Sequence, residues 1–113
     1  MRVISRKAIR EFSEKHPDAT HALTSWYLVT KKATWGSLPE VKTQFPSANL
    51  VGRRTVFNIG GNKYRLIARI DYRGQQVFIL YILTHKEYDK EIGNEFGNGT
   101  PKDRRSQVRT SSQ

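Results

Sequence analysis

The sequence predicts an α+β fold, in which an N-terminal helical hairpin packs on a twisted antiparallel β-sheet and a short C-terminal helix follows. Two observations predict it. Apolar residues recur at helical spacing as far as about Lys32, and from Arg54 onwards runs of β-branched and aromatic residues alternate with turn sequences. With 113 residues, the chain has room for one compact domain, which we expect over residues 1–96.

The first part of the chain predicts one short strand and two helices. The strand is MRVI, and Ser5 after it is a residue type that caps helices. The first helix is expected to end at His16 and Pro17, and Asp18 is a candidate cap for the second. The residues expected on the packed faces are Ala8, Ile9 and Phe12 in the first helix and Ala22, Leu23, Trp26, Tyr27 and Thr30 in the second.

The segment WGSLPEVKTQFPSAN predicts short helical structure followed by a loop. Ser37, with a proline two residues later, has the chemistry of a helix start, whereas the polar residues and proline at 46–49 indicate a loop. Trp26 and Trp35 are expected in the core, since helical spacing places Trp26 on the packed face.

Three antiparallel strands and a helix are predicted in the second half. The last strand, Val77 to Leu83, is apolar at almost every position, so we expect a central strand with both faces covered and helices on one side. Thr84 with Glu87 three residues later has capping-box chemistry, which predicts the C-terminal helix. The strand sequences are RTVFNI, KYRLIARIDY and QVFILYILT, separated by GGN and RGQ.

The composition indicates a polyanionic partner. The net charge is +10 and the isoelectric point about 10.2, which favours nucleic acid. Cysteine is absent, so disulfides and thiolate metal sites are excluded and a reducing compartment is compatible. No signal peptide or apolar run long enough to span a bilayer is visible, so we expect a cytoplasmic protein with no membrane partner.

Basic side chains gather along one predicted strand. Successive residues of a strand alternate faces, so Lys63, Arg65 and Arg69 should lie opposite the apolar set that faces the helices, spread over roughly 20 Å. His85 just beyond the central strand and Tyr88 one helical turn later can reach the same rim. Most charges on a strand are simply solvated. Because the neighbouring strand is apolar on both faces, we favour a partly enclosed basic cleft.

Such a cleft can cleave RNA without a metal or another cofactor. A base takes the proton of the 2′-hydroxyl, that oxygen attacks the adjacent phosphate, and an acid protonates the leaving 5′-oxygen. We expect Arg65 to clamp the phosphate and stabilise the transition state, with His85 as general acid or base and Tyr88 as its partner. Lys63 and Arg69 would guide the backbone. Metal ligands with convergent spacing and a G-x-S-x-G nucleophile elbow are both absent from the sequence.

Two motifs in this region resemble a known family. VFNIGGNKYRL followed by THKEYD is similar to the HigB toxins, RelE-like messenger RNA interferases of bacterial toxin–antitoxin pairs, and the resemblance covers roughly Ile4 to Lys90. It implies a RelE-like fold, endonucleolytic cleavage of messenger RNA with the ribosome as a candidate partner, and neutralisation by a HigA antitoxin that carries a helix-turn-helix domain. The motif positions are Asn58, Asn62 and Arg65 in the first and His85, Glu87, Tyr88 and Asp89 in the second.

Two further residues are RNA-binding candidates. Asn62 follows Gly60 and Gly61, where tight-turn chemistry explains it equally well, and Lys86 lies beside His85. The tail at residues 97–113 has almost nothing to bury and predicts disorder. It is either a natural extension or an accessory RNA-binding arm.

Two other functions remain open from the sequence. A non-catalytic binder would use the same cations on phosphates, while Tyr64, Tyr72 and Tyr81 pack or stack. A toxin of the same architecture could instead inhibit DNA gyrase by binding a protein, although the cations at one rim argue against it. His16 and His21, near helix ends, are expected at the surface.

Overall fold

The computed structural model describes residues 1–91. The elements are β1 (Arg2–Ile4), α1 (Arg6–Lys15), a 3₁₀ turn (Pro17–Ala19), α2 (Thr20–Lys32), α3 (Leu38–Gln44), β2 (Asn49–Val51), β3 (Arg54–Ile59), β4 (Tyr64–Asp71), β5 (Gln76–Thr84) and α4 (His85–Glu91). The predicted domain end at residue 96 and the predicted tail at 97–113 lie outside the described residues.

The strands form one five-stranded sheet in the order β1-β5-β4-β3-β2. Strands β2 to β5 pair antiparallel with their neighbours, whereas β1 pairs parallel with β5. The predicted α+β fold, with a helical hairpin, a sheet and a short C-terminal helix, is therefore confirmed, but the sheet is mixed rather than wholly antiparallel. β1 and β5 can pair in parallel because the chain between them is long, as the crossover of a parallel pair requires.

The sheet has a strand that the sequence did not predict. β2 (Asn49–Val51) begins at the last residue of the loop predicted at 46–49, and it pairs with the start of β3. Three residues at a sheet edge are too few to show alternation, and Leu50 is 51% exposed, so the segment lacks a strand's apolar signal.

Helices α1 and α2 pack on one face of the sheet. Trp26 and Trp35 are both buried, as predicted, and each ring contacts the ring of Phe57 in β3. The Trp35 Nε1 donates a hydrogen bond of 2.8 Å to Gln44 Oε1. The main core cluster is formed by Met1, Ala19, Leu23, Trp26, Ala33, Trp35, Val41, Ala48, Phe57, Ile59, Tyr64, Leu66, Ala68 and Val77.

The junction of α1 and α2 differs from the prediction. Asp18 does not cap α2, because it lies within the 3₁₀ turn and Ala19 precedes the helix. Its carboxylate instead accepts a 2.7 Å hydrogen bond from the hydroxyl of Tyr64. His16 ends α1 as predicted, but it is half-buried and its ring stacks on Phe12 at 4.5 Å, so the surface prediction was wrong there. His21 is exposed, as expected.

The Asp18–Tyr64 hydrogen bond is expected to make stability depend on pH. The bond, with help from Lys63 and against desolvation, lowers the pKa of Asp18 below its ordinary 3.8, and it raises the pKa of Tyr64 above 10.0. The contribution of Asp18 to the free energy of unfolding is therefore present above about pH 3.8, and it is lost as pH falls through the lowered pKa. The contribution of Tyr64 to the free energy of unfolding is present below about pH 10, and it is lost as pH rises through the raised pKa.

Tyr64→Phe should accordingly lower the thermal midpoint at pH 7, and this deficit should be smaller at pH 2, where a larger share of Asp18 is protonated. Circular dichroism melts of the variant and the parent at both pH values measure it. Tyr72→Phe, which also removes a half-buried phenol hydroxyl, is the matched control. An equal deficit at both pH values would mean that the bond to the carboxylate contributes nothing.

Candidate active site

The candidate site lies on the sheet face opposite α1 and α2, which we term the second face. Strand pairing places side chains of β3, β4 and β5 there, because residues directly opposite one another share a face. Alternation along β4 holds as predicted, with Tyr64, Leu66 and Ala68 in the main core. The second face carries Arg54, Val56 and Asn58 from β3, Arg65, Ile67 and Arg69 from β4, and Phe78, Tyr81 and Leu83 from β5.

Helix α4 covers one end of the second face. Tyr88 packs there with Leu83 against Val56 and Ile67, and the last two are buried. The expectation that both faces of β5 are covered was wrong, because Tyr81 remains 38% exposed. Within the part of the chain that the structure describes, α4 reaches only the Leu83 end of β5, so the rest of the face is open to a ligand there.

Arg65 is held on the second face by three contacts. Its Nη1 donates hydrogen bonds to the backbone carbonyls of Asn62 at 3.1 Å and Tyr64 at 3.3 Å. The guanidinium carbon lies 5.5 Å from the centroid of the Tyr88 ring. Two carbonyls and a ring therefore hold the guanidinium, and less conformational entropy is lost when it binds an anion.

The turn before β4 supplies part of that support. Gly60 and Gly61 have positive φ angles of 62° and 72°, so the turn chemistry predicted at this position is present, although Asn62 itself does not need it. Asn62 contributes its backbone carbonyl to Arg65, and its side-chain Oδ1 lies 3.4 Å from Asn58 Nδ2. Asn58 is directly opposite Arg65 across the β3–β4 pair.

A capping box fixes the start of α4, as the sequence predicted. The Thr84 N–H donates to Glu87 Oε1 at 2.9 Å, and the Glu87 N–H donates to Thr84 Oγ1 at 3.1 Å. The His85 N–H also donates to the backbone carbonyl of Lys63 at 2.9 Å. These bonds tie the first turn of α4 to the sheet and so direct Tyr88 onto Arg65.

His85 is exposed at the start of α4. Its Nδ1 lies 3.3 Å from Asp89 Oδ2, one helical turn further on. A carboxylate at Nδ1 orients an imidazole ring and fixes which nitrogen faces outwards. The pair has the geometry of an acid–base residue and its orienting group.

Tyr88 remains a neutral phenol over the physiological range. Burial raises its pKa above the ordinary 10.0, the charge of Arg65 opposes this, and Asp89 adds to it. A phenol with a raised pKa is a proton donor rather than a base near neutral pH. This separates Tyr88 chemically from His85.

Lys63 does not join Arg65, so this part of the predicted cluster is wrong. Lys63 lies in the turn before β4, and its Nζ is 3.5 Å from Asp18 Oδ2 on the helical side of the sheet. The strand alternation begins at Tyr64, and a turn residue does not follow it. Lys86 is exposed in the first turn of α4.

Arg69 lies on the predicted face but at the other end of it. Arg69 follows Arg65 by four positions, which correspond to roughly 13 Å along β4. The Arg69 guanidinium carbon lies 4.4 Å from the centroid of the Phe78 ring. The predicted site therefore divides into a first group, in which Arg65 contacts Tyr88, and a second with Arg69. His85 lies on the same helix as Tyr88, one turn earlier, and its place in the first group stays a prediction.

Sequence reasoning missed Arg54 and Phe78 on this face. The alternation that places Val56 there could have found Arg54, two residues earlier. Phe78 could not be found in this way, because the β4–β5 register shifts between Ile67 and Ala68. The irregularity leaves Leu80 out of the pairing and moves Phe78 to the face of Tyr81.

Across residues 1–90, whose side chains are described, no group of three or more His, Cys, Asp or Glu side chains is placed to hold a metal ion. No helix in the same range is long and apolar enough to cross a membrane.

Comparison with known proteins shows the family. A family model described as the HigB toxin, the RelE-like toxic component of a toxin–antitoxin system, matches residues 19–91. The mRNA interferase HigB of Escherichia coli O6:H1 is 34% identical over 93 residues, which cover 80% of this chain and 90% of that protein. The mRNA interferase toxin HigB of Escherichia coli K12 is 32% identical over 92 residues, which cover 79% and 88%. The chain belongs to the HigB toxin family, the RelE-like toxic components of toxin–antitoxin systems.

Proposed function

We propose that this protein is a messenger RNA interferase that cleaves RNA on the second face of its sheet with its own side chains and without a metal ion. The observation that carries the proposal is the guanidinium of Arg65, held over Tyr88 on an open basic face. The names of the two relatives, both mRNA interferases, support it. They favour cleavage over simple binding and over gyrase inhibition.

Arg65 would bind the scissile phosphate. Its Nη1 is engaged by two backbone carbonyls, so Nη2 and Nε are the donors that it can direct at phosphate oxygens. The phosphorane-like transition state carries more negative charge than the ground state. A pre-positioned guanidinium therefore stabilises the transition state more than the substrate.

His85 and Tyr88 would move the protons. With Nδ1 of His85 against Asp89, Nε2 is the nitrogen that takes the proton from the 2′-hydroxyl. The 2′-oxygen then forms a bond to phosphorus and the bond from phosphorus to the 5′-oxygen breaks. Tyr88 gives its proton to that leaving oxygen, since its raised pKa keeps it protonated. The products are a 2′,3′-cyclic phosphate and a 5′-hydroxyl.

Membership of a toxin–antitoxin family implies an antitoxin partner. We propose a HigA-type antitoxin with a helix-turn-helix domain, which meets this chain in the cytoplasm. The net charge of +10 favours an acidic segment in that partner. Messenger RNA, cleaved free or on the ribosome, is the proposed substrate.

Purified protein incubated with messenger RNA, with and without ribosomes, tests the function. We expect discrete fragments, which persist in excess chelator in the ribosome-free reaction. If only ribosomes support cleavage, the rate should be constant across magnesium concentrations that keep ribosomes intact. Intact RNA in every reaction, with binding that weakens steeply with salt, would identify a non-catalytic binder. Arrested DNA supercoiling with normal translation would identify a gyrase inhibitor.

A further inference from the structure

A second pair of cation and ring lies on the second face, apart from Arg65 and Tyr88. Arg69 and Phe78 are direct cross-strand partners in β4 and β5, and the guanidinium carbon lies over the ring at 4.4 Å from its centroid. Arg69 is exposed and Phe78 is half-buried. The register irregularity at Ile67/Ala68 creates this pair, because without it Phe78 would lie on the opposite face.

The arrangement places a planar charged group on an open surface. A solvated arginine usually extends its charged end into water, whereas here Phe78 supports the guanidinium close to the sheet. We propose that Arg69 and Phe78 form a stacking platform for one unpaired nucleobase of the RNA. The inference rests on the proposed function, since it concerns how the same face holds its substrate.

The chemistry fits a single-stranded base. Unpaired bases stack on aromatic rings and on arginine guanidinium planes, and such stacking tolerates every base because each has a π-face. The exposed Arg69 offers its plane to the base and its charge to a neighbouring phosphate. Phe78 acts as a positioning residue beneath it.

The position of the platform assigns it to a flanking nucleotide. Arg69 is roughly 13 Å from Arg65 along β4, too far to share the phosphate that Arg65 holds. Between them, Ile67 is buried and its cross-strand partner Tyr81 is 38% exposed. An RNA strand that runs from Arg65 past Tyr81 therefore reaches Arg69 with a nucleotide beside the cleaved one.

A scan of abasic positions tests the platform directly. Binding of a single-stranded RNA with 2′-O-methyl groups, which block cleavage, is measured by fluorescence anisotropy as each base in turn is removed. In the parent protein, loss of the base at the platform should weaken binding by about 5- to 100-fold. Arg69→Lys keeps the charge but loses the plane. In this variant, removal of the base at the platform should no longer weaken binding, whereas removal of other bases should have the same effect as in the parent.

Phe78→Leu should give the same change of pattern, and thermal melts show whether it folds. Arg73→Lys, in the exposed turn between β4 and β5, is the matched control and should keep the parent pattern. A parent pattern without a sensitive position, or one that survives in Arg69→Lys, would overturn the platform. The assay needs no cleavage, so the platform can stand if the nuclease proposal fails, and can fail if cleavage is confirmed.

Discussion

Arg65→Ala is expected to lower the single-turnover rate of RNA cleavage by about 10²- to 10³-fold, the usual loss when one transition-state donor is removed. The guanidinium is held by the carbonyls of Asn62 and Tyr64 and by the ring of Tyr88. Neither a phenol nor an imidazole can replace its planar set of N–H donors. The rate of fragment formation at saturating protein measures the loss. RNA binding should weaken far less than the rate falls, because the donor acts mainly in the transition state.

Two companion variants separate geometry from charge. Arg65→Lys keeps the positive charge but loses the planar fork, so it should recover only a small part of the rate. Arg73→Ala removes an equivalent charge from an exposed turn and should cleave at close to the parent rate. Parent-like cleavage by Arg65→Ala would remove Arg65 from the mechanism.

Tyr88→Phe should lower the cleavage rate by about 10²- to 10⁴-fold, the usual contribution of a general acid. The substitution keeps the ring over Arg65 and the packing against Ile67, so it removes the proton donor alone. Since burial raises the pKa of Tyr88 above 10.0, loss of this proton should cause no decline of the parent rate below about pH 10. Rates measured between pH 6 and about 9.5 check both expectations.

Tyr27→Phe, which changes a half-buried tyrosine of α2 on the other side of the sheet, is the control for loss of a phenol hydroxyl. If Tyr88→Phe cleaves at the parent rate while Tyr88→Leu does not, the ring supports Arg65 and α4 but donates no proton. The general acid would then have to be another group.

Local patterns in the sequence predict much of this molecule. The alternation in β4 separates Arg65 and Arg69 from the core, and the reciprocal bonds of Thr84 and Glu87 begin α4 where expected. Each depends on residues close together in the chain. Arg65 and Tyr88 are far apart in the chain, but each could be assigned to one rim from the local pattern of its own strand or helix, and the structure places them in contact.

The errors come from interactions that local patterns do not contain. Lys63 was assigned to the strand, but the turn closed by its N–H to the carbonyl of Gly60 turns it towards Asp18. Phe78 changes face through a register irregularity that leaves no mark in the apolar run of β5. The parallel pairing of β1 and the Asp18–Tyr64 hydrogen bond join residues far apart in sequence.

Local patterns also could not predict that the basic residues of the site lie in separate places. The two-residue repeat of a β-strand assigns Lys63, Arg65 and Arg69 to one face by side-chain direction alone. The contacts then separate them, with Arg65 on Tyr88, Arg69 on Phe78 and Lys63 beside Asp18. Distances between partners, rather than the direction of a side chain, decide which cations can act on one phosphate.

Arg65, His85 and Tyr88 are expected to break the RNA through its own 2′-hydroxyl. The chemistry of the fragment ends tests this most directly, by enzymatic end-labelling of RNA cut by the purified protein. Cleavage on the second face should leave a 2′,3′-cyclic phosphate on the upstream fragment and a 5′-hydroxyl on the downstream one. Fragments that carry a 5′-phosphate, or equal cutting when the scissile nucleotide lacks its 2′-hydroxyl, would contradict the mechanism.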